Sequence, residues 1–101
     1  MALTKSVSTD GKTLTIRVNG RFDFSAHQEF RDAYSGQANT VSKYVLDMGG
    51  TEYIDSAACG MLLVFRDTVG GNQADISIVN AKPDIQKTLS MLQFNKLFKI
   101  N

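Results

Sequence analysis

Residues 53 to 63 read Tyr53-Ile54-Asp55-Ser56-Ala57-Ala58-Cys59-Gly60-Met61-Leu62-Leu63, and the fold turns on them. Ala58, Leu62, Phe65 and Val69 recur at helical spacing, so a helix begins at Ser56 and stops at Gly70-Gly71. Ser56 stands where a strand end gives way to that helix. It follows an acidic residue and precedes small ones that leave its hydroxyl uncovered. Position alone does not make it functional, because serine is a favoured N-cap, worth about 1 kcal/mol through one otherwise orphan amide.

Outward from this junction, strands and helices alternate. Tyr44 to Met48 is an apolar run broken only by Asp47, which predicts a central strand covered on both faces with Asp47 at its polar end. Before it, Ala26, Phe30, Ala33 and Tyr34 share one side of a helix opposite Gln28, Glu29, Arg31 and Asp32. Ser25 is the expected N-cap, with Gln28 completing a capping box. Earlier still, Leu14, Ile16 and Val18 alternate with polar residues, as in a strand with one buried face. Asp10-Gly11 predicts a tight hairpin joining that strand, Thr13 to Asn19, to a first strand near Leu3 to Ser8, with Gly20 ending the pair. Downstream, Ile76 to Val79 predicts the next strand and Pro83 the first turn of a third helix with an Ile85, Leu89, Leu92 stripe. Phe98 and Ile100 suggest a short closing strand. The order predicts one α/β domain over residues 1–101: a hairpin, then a mixed, mainly parallel sheet with helices packed against it.

Composition narrows the function. The chain of 101 residues is 43% apolar, enough for one core, and Met61 to Phe65 is far shorter than the roughly 20 residues of a membrane span. No export signal opens the sequence, and one cysteine forms no internal disulfide, so a soluble, cytoplasmic protein is expected. Eleven basic against ten acidic residues give a net charge of +1 without a like-charged run, which argues against direct nucleic-acid binding. Lys82, Lys87, Lys96 and Lys99 are read as a solvated face without membrane attachment. No nucleotide, cofactor or metal site is expected: Gly49-Gly50 and Gly70-Gly71 are turn signals, and a single His with a single Cys makes no metal cage. Catalysis is not expected either. Ser56 has no G-x-S-x-G context, and the only histidine, His27, has no motif tying it to Ser56. Cys59 is read as a small core residue.

The segment Asp55-Ser56-Ala57-Ala58-Cys59-Gly60-Met61-Leu62-Leu63 resembles the signature of STAS domains, an Asp-Ser pair with small residues and an apolar helix after it. Gly20-Arg21-Phe22-Asp23 resembles the family's element after its second strand, and Leu92-Gln93-Phe94-Asn95-Lys96-Leu97-Phe98 its closing segment, so the likeness spans nearly the whole chain. Ala57, Ala58 and Cys59 depart from the Ser, Gly and Leu of many members. The resemblance implies an anti-sigma factor antagonist, with Ser56 as phosphoacceptor and no catalytic role. Asp23, Asp55, Ser56 and Ala57 would then border the surface that meets an anti-sigma factor or serine kinase of the anti-sigma type. A serine phosphatase would restore Ser56. Met61 and Val64 lie off the buried stripe of the second helix and are candidates for the same contact, unless a third helix or the closing strand covers them. A STAS regulator of another target, such as a response regulator, a motility or biofilm pathway or a sensory complex, is the alternative. A small hydrolase using Ser56 and a purely structural domain are more distant ones.

Overall fold

The computed structural model describes residues 2–35 and 40–101. A six-stranded mixed sheet forms its centre. Strand β1 (Ala2–Val7) pairs antiparallel with β2 (Thr13–Phe22), and every other pairing is parallel: β2 with β3 (Lys43–Asp47), β3 with β5 (Ile76–Val79), and β5 with β6 (Lys99–Ile100). The far end of β2 pairs instead with β4 (Thr51–Ile54). Helices α1 (His27–Tyr34), α2 (Ser56–Thr68) and α3 (Pro83–Met91) follow β2, β4 and β5.

The alternation in β2 plays out as read: Leu14, Ile16 and Val18 are fully buried. The parallel register sets them beside Tyr44 and Leu46 of β3, which in turn flank Ile76 and Ile78 of β5. Phe65 of α2 sits over this layer. Its ring lies 5.4 Å from Phe30, 4.8 Å from Tyr34 and 5.5 Å from Tyr44, so one side chain joins α1, α2 and the sheet. Cys59 is buried, and burial raises its thiol pKa, with the charge of Asp55 adding to the effect.

Several expectations are corrected. Strand β3 is not sandwiched on both sides: Lys43 is exposed and Val45 and Asp47 are half-buried. The hairpin pairing does end before Gly20, at Ala2↔Asn19, but the strand itself runs on to Phe22 rather than stopping at Asn19. At φ +81 Gly20 introduces a bulge, after which Arg21 and Phe22 pair with Tyr53 and Ile54. The hairpin loop is wider than a two-residue turn. Only Gly11 takes a positive φ, while Asp10 accepts bonds from the Ser8 hydroxyl and the Lys12 amide. Ser25 is not the cap of α1, since Asp23 caps a 3-10 turn, Phe24–Ala26, that leads into the helix. Gln28 donates to Asp32 rather than closing a capping box. Helix α3 ends at Met91, leaving Leu92 50% exposed; Ile85 and Leu89 are buried as expected, and Phe94 takes the place Leu92 was expected to fill in the core.

Candidate functional site

The register Phe22↔Ile54 ends two parallel strands side by side, and each continues into an aspartate. Asp23 accepts from the Ser25 amide at 3.0 Å and from the Ser25 hydroxyl. Asp55 accepts from the Ala58 amide at 2.9 Å and caps α2. The two carboxylates thus occupy equivalent places at the C-terminal ends of neighbouring strands, each fixed by the helical turn after it. The Ser25 hydroxyl and amide, with the Arg21 charge nearby, hold the Asp23 carboxyl below its ordinary pKa.

Because Asp55 is the cap, Ser56 is the first residue of α2 rather than its N-cap. Its side chain is exposed, and its hydroxyl has no hydrogen-bond partner among the described residues. Asp55 also receives the Cys59 amide on its carbonyl, which leaves the amides of Ser56 and Ala57 as the open donors at this helix end. Chemically, this is an accessible hydroxyl beside two acceptor carboxylates, at the positive end of a helix dipole.

The remaining candidates separate. Ala57 is half-buried next to Ser56, and Val64 is 59% exposed, on the solvent side of α2. Met61 is only 7% exposed, so it is not the open surface residue its place off the stripe suggested; it lines the wall of a cleft between α1 and α2. His27 is half-buried at the start of α1 and stacks on Phe24 at 5.0 Å. Sequence reasoning missed Phe24, 64% exposed, and also Tyr53 and Leu63. It missed as well the Arg21 guanidinium, which sits 3.9 Å over the Tyr53 ring and 3.6 Å from Asp23. The Arg21–Tyr53 pair comes from cross-strand register, which no local pattern reveals. Phe24, directly after the capping aspartate, was the one signal available.

These features define a small mixed α/β domain with an open surface site at the strand-to-helix end of its sheet. The STAS-domain family model matches residues 4–101, and the chain belongs to that family. It is 50% identical over its full length, and over the full length of the relative, to the STAS-domain containing protein PA14_20770 of Pseudomonas aeruginosa strain UCBPP-PA14. Its fold is similar to the anti-sigma factor antagonist SpoIIAA in unphosphorylated form, with TM-score 0.82, 18% identity, and coverage of 99% of this chain and 88% of that one. For the phosphorylated Bacillus protein the TM-score is 0.76 at 18% identity, covering 99% and 91%. An anti-sigma factor antagonist from Mycobacterium paratuberculosis gives 0.78 at 17% identity, covering 98% and 85%. At these identities the structural likeness speaks to the fold. The family is that of STAS domains, and the fold is shared with solved anti-sigma factor antagonists.

Proposed function

We propose that this chain is a cytoplasmic anti-sigma factor antagonist, a non-catalytic binding module switched by phosphorylation of Ser56. Unphosphorylated, it binds an anti-sigma factor or serine kinase of the anti-sigma type; phosphorylated, it releases that partner until a serine phosphatase restores the hydroxyl. The observation that carries this reading is the exposed Ser56 hydroxyl, unbonded among the described residues and relieved of capping by Asp55. The names of its structural neighbours support it.

The switch follows from electrostatics. A phosphoryl group brings about −1.5 to −2 charges to a site already flanked by Asp55 and Asp23. Within the domain, the helix dipole and the open Ser56 and Ala57 amides offset part of that charge, so the fold persists. A partner covering Ser56 must desolvate the dianion near those carboxylates. A cost of a few kcal/mol lowers affinity about 100-fold or more. Asp23, Asp55, Ala57 and Val64 would form the contact with Ser56, joined by Phe24 and Tyr53, whose exposed rings suit a protein partner. Met61 would support it from beneath.

The test is capture from source-cell lysate by wild type, Ser56→Ala and Ser56→Asp, combined with intact mass of the native protein. Ser56→Ala should retain a kinase-type regulator that Ser56→Asp loses, and the native protein should carry a phosphate absent from Ser56→Ala. Identical partners for all three, with no phosphate, would refute the switch.

A further inference from the structure

Between α1 and α2 runs a cleft of about 670 Å³, within the size range of small-molecule sites. Its α2 wall is Ala57, Gly60, Met61, Val64 and Thr68, a stripe at helical spacing about 16 Å long at the α-helical rise. The facing wall is aromatic, built from Phe30 and Tyr34 and extended by the Phe24 ring stacked on His27.

Gly60 stands inside helix α2. Glycine inside a helix costs about 1 kcal/mol relative to alanine. Nothing in the packing asks for it: a Cβ there would meet no atom within 4 Å, and Gly60 is not among the glycines with positive φ. Gly60 lines the cleft, and a side chain there would enter open space rather than packed atoms.

The charges of the lining are one-sided. Arg31 borders the cleft, no acidic side chain does, and Arg31 forms no ion pair among the described residues, unlike Arg17 and Arg21. Of the three hydroxyls in the lining, Ser35 donates to the Arg31 carbonyl and Thr68 to the Val64 carbonyl, and Tyr34 is the third. Arg31 is the permanent positive charge of the lining, so an anion here is drawn to its guanidinium. Both helices follow strands that run parallel, which sets Arg31 toward the Val64–Thr68 end of the groove. One extended alkyl chain fits a cleft of this size, with its length along the stripe.

We propose that the α1–α2 cleft binds a fatty acid, its acyl chain along the Ala57–Thr68 stripe and its carboxylate on Arg31. This does not depend on phosphorylation of Ser56. The experiment titrates the delipidated full chain with octanoate, decanoate and dodecanoate below their micellar concentrations, with dodecanol in parallel, by displacement of a fluorescent fatty acid. Saturable one-to-one binding is expected, tightening about four-fold per methylene, which corresponds to about 0.8 kcal/mol. Gly60→Leu should weaken dodecanoate at least tenfold, and Arg31→Gln should reduce dodecanoate to the affinity of dodecanol while leaving dodecanol unchanged. If Gly60→Leu does not fold, Val64→Glu at the exposed rim serves in its place and should weaken dodecanoate by a similar factor. Absence of saturable binding, or binding that neither cleft variant weakens, overturns the proposal. So does a Gly60→Leu chain that loses its kinase-type partner when dodecanoate never bound, since the cleft would then belong to that partner.

Discussion

Asp55 and Ser56 are neighbours with separable jobs. Asp55 holds the first turn of α2 through the Ala58 amide, so Asp55→Ala should destabilise the domain by about 1 kcal/mol. Ser56 forms no such bond, and Ser56→Ala should stay within about 0.5 kcal/mol of wild type. Urea denaturation of the two variants checks both values; an equal loss from Ser56→Ala would mean that the serine is structural after all. A third acidic residue, Asp47, contributes to the acid response together with Asp10 and Asp23, whose carboxyls are also held below their ordinary pKa. Asp47 accepts from the Gly49 amide at 3.0 Å, from the Asn80 side chain at 3.3 Å and from Arg17 at 3.4 Å, and these bonds lower its pKa, led by the Gly49 amide. A carboxyl depressed in the folded state contributes stability above its unfolded pKa and loses it as pH falls through the folded one. Stability should hold from neutrality to about pH 4 and then decline, as ordinary carboxyls protonate near that value. Asp47→Asn should be less stable at pH 7 and fall less steeply toward pH 3, as read by urea midpoints at the two pH values.

The element that aligns the two aspartates is β4. Thr51 is fully buried, and its hydroxyl donates to the Val18 carbonyl at 2.7 Å, tying β4 to β2. Replacing it by the isosteric valine removes the donor and strands that carbonyl, at a cost of about 1–3 kcal/mol. Thr51→Val should lower the urea midpoint accordingly and raise amide exchange at Tyr53 and Ile54. Little of this was legible beforehand. Periodicity announced α2, β2 and α3 because their apolar stripes are long. In β4, Glu52 and Tyr53 are both exposed, so no alternation marks the strand, and its pairing with β2 depends on a bulge at Gly20 that reads locally as a stop. Ser25 and Ser56 both looked like caps because serine favours that place. In each case an aspartate preceding it, by two residues or by one, takes the role. The Asp-Ser pair itself was legible, whereas Phe24, Arg21 and Tyr53 joined the site only through pairing of distant segments.

At the scale of the molecule, helices α1 and α2 share a core with one face of the sheet, and the cleft and the Ser56 surface both depend on how those two helices dock. Phe65 is the side chain common to them, touching Phe30 and Tyr34 of α1 and Tyr44 of β3. Removing the ring costs both transfer energy and a cavity, about 3–5 kcal/mol, against a total stability of about 5–15 kcal/mol for a typical domain. Phe65→Ala should therefore shift the urea midpoint strongly. If the aromatic cluster cooperates with the sheet, the slope of the transition stays unchanged, and far-UV circular dichroism and tyrosine fluorescence report one coincident curve. If α1 instead undocks alone, tyrosine fluorescence moves first, because Tyr34 lies on that helix, and the two curves separate. The packing favours coincidence: Phe22 of β2 also meets Phe30 at 5.3 Å, so α1 remains anchored to the sheet by a contact that Phe65→Ala does not touch.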